Sequence, residues 1–178
     1  MRTATLAITL RLTLGCALPA LAQPAQTAPA RPERPSPVVE GAAGWAGFAD
    51  EGIIHHALAG AAWRGCPTPR ISIGPELQYM VGPASDRDLI LTGNIMMDIV
   101  APTAERPRPA TPFVVLGGGL FRNSQRFQSG RFSSTEGAFT AGAGVRVWAS
   151  RRVLAAADAR IGWDTHVRIA ASVGVALR

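Results

Sequence analysis

The chain has 178 residues, of which 47% are hydrophobic and only 6% aromatic, and it carries 18 basic against 12 acidic residues for a formal charge of +6. That length fits one domain. Every basic residue is an arginine and they are dispersed along the chain, which excludes the clustered basic stripe of a nucleic-acid binder. No segment after the N-terminal region approaches the roughly eighteen consecutive apolar residues that a membrane-spanning helix requires.

At the N-terminus, Arg2 and Arg11 precede an apolar run over residues 12–22, and Ala20-Leu21-Ala22 makes a small-x-small cleavage site before Gln23. This is the layout of a secretory signal peptide over residues 1–22, too short to span a bilayer. A lipoprotein signal would use Cys16, but Thr13-Leu14-Gly15-Cys16 puts threonine where an aliphatic residue is expected. Residues 23–37 are rich in Pro, Ala and Arg, hold almost no large apolar side chain, and read as a flexible leader. Removing the signal leaves one cysteine, Cys66, in the turn-like Cys66-Pro67-Thr68-Pro69. An intramolecular disulfide is then impossible.

Residues 38–178 show no long helical periodicity. Gly and Pro punctuate them at intervals that suit strands. Eight runs are predicted, over residues 39–48, 55–64, 70–81, 88–100, 112–121, 135–148, 153–163 and 166–177. In the third, Ile71, Ile73, Leu77, Tyr79 and Val81 share one parity against Ser72, Gly74, Glu76, Gln78 and Met80, with Pro75 removing a ladder donor mid-run. In the fourth, Leu89, Leu91, Ile95, Met97 and Ile99 oppose Thr92, Asn94 and Asp98. The sixth sets Phe139, Ala141, Ala143, Val145 and Val147 against Glu136, Thr140 and Arg146, and the seventh sets Val153, Ala155, Ala157, Ala159, Ile161 and Trp163 against Asp158 and Arg160. The eighth places Val167, Ile169, Val173, Val175 and Leu177 opposite Arg168, Ser172 and Gly174. The first, second and fifth are too rich in Ala and Gly for their parity to be read.

The polar parity collects Glu76, Gln78, Asn94, Asp98, Glu136, Arg146, Asp158, Arg160 and Arg168, acids and arginines mixed. Closing the runs into a barrel would gather these residues inside, where charges must pair or stay hydrated. An ordinary soluble barrel would instead face them outward. Three features favour polar-inward. The export signal takes the chain across the inner membrane. Aromatics sit near run ends at Trp63, Tyr79, Phe113, Phe121, Phe139, Trp148 and Trp163, although Trp148 has the wrong parity for a lipid anchor. The polar parity is also rich in small residues, as the narrow interior of an eight-stranded barrel requires.

In Ile71-Ser72-Ile73-Gly74-Pro75-Glu76-Leu77-Gln78-Tyr79-Met80, Leu116-Gly117-Gly118-Gly119-Leu120-Phe121 and Ala141-Gly142-Ala143-Gly144-Val145-Arg146-Val147, the chain resembles the small outer-membrane β-barrel proteins of Gram-negative bacteria. The resemblance implies an all-β fold, an eight-stranded antiparallel up-and-down transmembrane β-barrel in the cell outer membrane, with both termini periplasmic. Such barrels usually end in an aromatic residue, whereas this chain ends Leu177-Arg178. The implied partners are outer-membrane lipid, with lipopolysaccharide among it, and the outer-membrane insertion machinery. No nucleic acid is implied, and a monomer is expected.

The longest outward connection would be residues 122–134, whose Arg126 and Arg131 are the candidates to contact anionic headgroups. No catalytic, cofactor or metal site is expected. His55 and His56 are adjacent, and adjacent strand residues point to opposite faces, so they do not join Glu51 as metal ligands. Asp164-Thr165-His166 imitates part of a catalytic triad without a placed nucleophile. Gly117-Gly118-Gly119 lacks the Gly-Lys-Ser/Thr of a phosphate loop. The reading is therefore a non-catalytic outer-membrane barrel with a structural or surface-interaction role, its polar lumen packed rather than open. The alternative is a secreted soluble barrel, lipocalin-like in architecture, that binds an apolar ligand in its interior.

Overall fold

In the computed structural model, which describes residues 36–49, 52–100, 110–163 and 166–177, every regular element is a β-strand. The signal peptide and residues 23–35 of the leader lie outside the described residues. Ser36 and Pro37, assigned to the leader, already touch the barrel. The Cys66 thiol donates to the Ser36 carbonyl at 3.7 Å, and the Leu177 N–H donates to the Pro37 carbonyl at 2.7 Å.

The strands are β1 (Val38–Ala49), β2 (Ile53–Arg64), β3 (Ile71–Val81), β4 (Arg87–Asp98), β5 (Ala110–Phe127), β6 (Gly130–Trp148), β7 (Val153–Gly162) and β8 (His166–Ala176). Each pairs antiparallel with its sequence neighbour, and β1 pairs β8 from Val38↔Ala176 to Phe48↔His166, so the sheet closes. Closure satisfies the edge strands that an open sheet would expose.

Pro75 stays within β3. The β3–β4 register runs through it as Pro75↔Gly93, but the β2–β3 ladder stops at Ala62↔Glu76 and resumes as a single bridge at Gly65↔Ile73. The missing proline N–H thus coincides with a gap on the β2 side. Gly74 fits this gap because a Cβ there would collide with the Trp63 carbonyl.

The predicted connection over residues 122–134 is strand instead. β5 continues to Phe127 and β6 begins at Gly130, joined by a two-residue turn and paired from Phe127↔Gly130 onward. β5 runs out of β4 partners after Ser124, and β6 has none on β7 before Thr140, so the hairpin overhangs the barrel. An overhang has water on both faces. Its sequence therefore shows no apolar alternation, which is why periodicity missed it.

Parity divides the wall cleanly. β4 alternates without exception, burying Asp88, Ile90, Thr92, Asn94, Met96 and Asp98 and exposing Leu89, Leu91, Ile95 and Met97. The strands whose parity was unreadable now resolve. β1 turns Val38, Glu40, Ala46 and Phe48 inward, and β2 turns His56, Leu58, Ala62 and Arg64 inward. On β5, Phe113 and Phe121 point into the lumen. That corrects their expected place among the interfacial aromatics, because β5 carries its outward residues at Leu116 and Leu120. Trp148 packs inward against Val38, Leu154 and Ala176.

Lumen packing leads to a direct expectation. Phe113 is 1% exposed, in contact with Met96 and Val115, whereas Phe132 on the overhang is 56% exposed. Phe113→Ala should lower the unfolding free energy of the refolded barrel by about 3–5 kcal/mol. Phe132→Ala should change it by no more than about 0.5 kcal/mol. Equal shifts in a urea titration would contradict the inward placement of Phe113.

Candidate functional site

Glu76 is central to the lumen. Its carboxylate accepts hydrogen bonds from Arg64 on β2, from Arg160 on β7 at 3.2 Å and from Arg168 on β8 at 2.7 Å. Asn94 adds a contact at 3.3 Å, and Gln78 donates to the other oxygen. Arg160 also grips Asp158 with Nε at 2.7 Å and Nη2 at 3.3 Å, and Arg168 approaches Asp158 at 3.7 Å. Glu40 faces Arg64 at 3.8 Å. A second pair, Arg146 with Asp98 at 2.5 Å, lies nearer the termini.

Among these residues, each carboxylate is matched by a guanidinium: Glu40, Glu76, Asp158 and Asp98 against Arg64, Arg160, Arg168 and Arg146. Pairing in this way is how such charges survive removal from water. β7 lies four strands from β3 in either direction around the closed sheet. The Arg160–Glu76 bond therefore crosses the lumen.

The structure brings eight of the nine predicted lumen residues to the interior: Glu76, Gln78, Asn94, Asp98, Arg146, Arg160 and Arg168 are buried and Asp158 half-buried. Glu136 is the exception. It lies beyond the last β6–β7 pair, exposed where β6 has no β7 neighbour, and accepts from the Trp163 indole N–H at 3.4 Å. Glu40 and Arg64 were missed because Ala and Gly hide the alternation of their strands.

A second polar cluster sits at the hairpin end of the barrel. Nε2 of His56 lies 2.9 Å from Asp86 and 3.3 Å from Asp88, and Asn123 donates to both carboxylates. As expected of neighbours on a strand, His55 points the other way, to the outer face beside Trp45. The partners of His56 come from the β3–β4 connection and from β4, separations that no local motif reveals.

Arg126 and Arg131 meet directly across the overhanging hairpin, and with Arg87, Ser85 and Ser124 they line a cleft of about 260 Å³. The Ser85 hydroxyl donates to the Arg126 carbonyl at 2.7 Å, tying the β3–β4 connection to the hairpin, and Arg131 Nε donates to the Ser124 hydroxyl at 3.1 Å. Like charges placed opposite each other on paired strands repel. His166, from the triad-like sequence, sets its Nδ1 2.5 Å from the Trp163 carbonyl. Asp164 and Thr165 lie outside the described residues.

No known family profile matches the chain, and no curated protein matches it. Solved structures do. Neisserial surface protein A matches with TM-score 0.65 at 13% identity, over 79% of this chain and 97% of that one. The N-terminal β-barrel domain of Pseudomonas aeruginosa OprF matches with TM-score 0.57 at 15% identity, over 79% and 97%. Ail, the attachment invasion locus protein of Yersinia pestis, matches with TM-score 0.53 at 10% identity, over 80% and 98%. The fold is that of the small outer-membrane β-barrels.

Because three arginines converge on one carboxylate, Glu76→Ala should destabilise the barrel by about 3–5 kcal/mol, the loss expected when buried charges are left without a partner. Glu40→Gln, which touches only Arg64 of those arginines, should cost clearly less. Comparable urea midpoints for the two variants would remove Glu76 from its central position.

Proposed function

We propose that the protein is a non-catalytic β-barrel of the Gram-negative outer membrane, exported by the signal peptide over residues 1–22, with a structural or surface-interaction role. The observation that carries this reading is the inverted polarity of the wall. Ile95, Leu116, Ile161 and Val173 stand 59–66% exposed around a charged interior. Soluble monomers rarely expose contiguous apolar surface beyond a few hundred Å², whereas a bilayer requires it. Strands of ten to twelve residues in the regular part of the wall suit the roughly 9–11 needed for a tilted crossing. Trp63 near one end, and Tyr79, Phe139 and Trp163 near the other, are exposed where an interfacial girdle would sit. The soluble, lipocalin-like alternative needs the opposite parity, with apolar residues lining a cavity, and the charged lumen speaks against it.

In this orientation the termini face the periplasm and the overhanging hairpin faces outward. Salt bridges between opposite walls favour a packed lumen over a conducting one. The guanidiniums of Arg87, Arg126 and Arg131 gather around one cleft and repel one another. Phosphate groups of lipopolysaccharide would neutralise them, which supports outer-membrane lipid as the surface partner. Folding into the membrane would use the outer-membrane insertion machinery, and the closed sheet supports a monomer. The His166 contact with the Trp163 carbonyl occupies the nitrogen that a triad carboxylate would orient, in keeping with a role without catalysis.

Fractionated cells should hold the protein in the outer membrane, and unboiled samples should migrate differently from boiled ones. Recovery from the soluble periplasm would overturn the membrane reading. Separately, Arg126→Ser with Arg131→Ser should weaken binding to lipopolysaccharide-containing vesicles and steepen no other property of the barrel. Unchanged binding would remove these arginines as lipid contacts.

A further inference from the structure

The cluster of His56, Asp86 and Asp88 at the hairpin end is separate from the Glu76 network and has no part in the role proposed above. All three residues are buried, and their ligand atoms lie within 4.8 Å of one another. We propose that they bind a divalent transition-metal ion of the zinc type through Nε2 of His56 and one oxygen each of Asp86 and Asp88.

Spacing is the first argument. A tetrahedral ion with ligands at about 2.0–2.2 Å holds its donors about 3.3–3.6 Å apart. The His56–Asp86 and His56–Asp88 edges measure 2.9 and 3.3 Å, and all three ligand atoms lie within 4.8 Å of one another, so side-chain adjustment alone closes them on an ion. The second argument is the outer shell. Both aspartates present Oδ2 to the imidazole, while Asn123 Nδ2 donates to Oδ1 of Asp86 at 3.2 Å and to Oδ1 of Asp88 at 2.9 Å. One amide thus fixes both carboxylates with their second oxygens turned toward a common point, as the orienting groups around metal ligands do.

Charge supplies the third argument. Neutral imidazole is the form that ligates metals, and a dication offsets two carboxylates. Arg87 does not take that role toward Asp86, since its Nη1 donates to the Asp86 backbone carbonyl at 2.6 Å. Room is the fourth. Gly82 lies against the Nε2 edge of His56, where a Cβ would collide with the ring. The mixed nitrogen and oxygen donors favour zinc and its neighbours over calcium or magnesium. An ion here would tie β2, the β3–β4 connection and β4 together, and three protein ligands would leave it one position for water.

The full chain, without a histidine tag, would be folded in detergent, stripped with EDTA and titrated with Zn²⁺ by calorimetry and with Co²⁺ by absorption. The site predicts one saturable ion per barrel and a Co²⁺ d–d band typical of nitrogen and oxygen ligands. His56→Gln and Asp88→Asn should abolish binding, Asn123→Ala should weaken it by about 10–100-fold, and His55→Ala should leave it unchanged. Each variant would be checked for its boiling-dependent gel shift. Failure of the folded wild type to saturate, binding that survives in folded His56→Gln, or loss of binding in His55→Ala would overturn the site. If a ligand variant does not fold, the wild-type Co²⁺ spectrum decides, since an intense thiolate charge-transfer band would assign the ion to Cys66 instead.

Discussion

Glu76 accepts from three arginines, and each arrives from a different strand: Arg64 from β2, Arg160 from β7 and Arg168 from β8. None of these charges could lie where it does unless the others did too. Arg168 is only 2% exposed, and a guanidinium so far from water is tolerated because carboxylates receive it. Closure of the sheet and the contents of the lumen are therefore one constraint. An open sheet would separate β8 from β1 and leave Arg168 remote from its acceptor.

The inward positions of β4, followed from the hairpin end to the termini, show how the lumen is filled. Asp88 belongs to the histidine cluster. Ile90 packs with Met80, Phe48 and Phe121. Asn94 bonds Glu76, Met96 joins Phe113 and Val115, and Asp98 pairs with Arg146. Polar and apolar contacts thus share one strand, with Thr92 and Asn94 forming the polar pair between Ile90 and Met96. The apolar groups limit the water that reaches the ion pairs, which strengthens each pair and raises the loss when one member is removed. Buried ion pairs add little net stability compared with apolar packing, but they reject wrong partners. Here, a strand shifted by one residue would send its charges to the apolar outer face and its aliphatics into the polar interior.

The two ends of the barrel differ. At the termini, β1 and β8 pair to their last residues and Trp148 covers Val38 and Leu154. At the opposite end the wall rises unevenly, because the β5–β6 hairpin continues beyond its neighbours. The β3–β4 connection leans on that hairpin through Ser85 and supplies Asp86 to His56. One five-residue connection therefore borders both the arginine cleft on the outside and the histidine cluster within.

The amino-acid sequence by itself determined the strand class, the number of strands and the parity of those with large side chains. Period-two alternation is a local property, legible wherever large apolar side chains on the outer face alternate with polar ones in the lumen. It accounts for Asn94, Asp98, Arg146, Arg160 and Arg168. It was silent on β1, β2 and β5, where Ala and Gly carry too little contrast, so Glu40, Arg64 and the inward Phe113 and Phe121 were not visible. It misplaced Glu136, which has the inward parity but is exposed where β6 has no β7 neighbour. Tertiary structure alone decided which charges meet. Arg168 and Glu76 are 92 residues apart, and His56 and Asp86 are 30 apart. Only the closed register of the barrel sets the height and direction at which such side chains face one another.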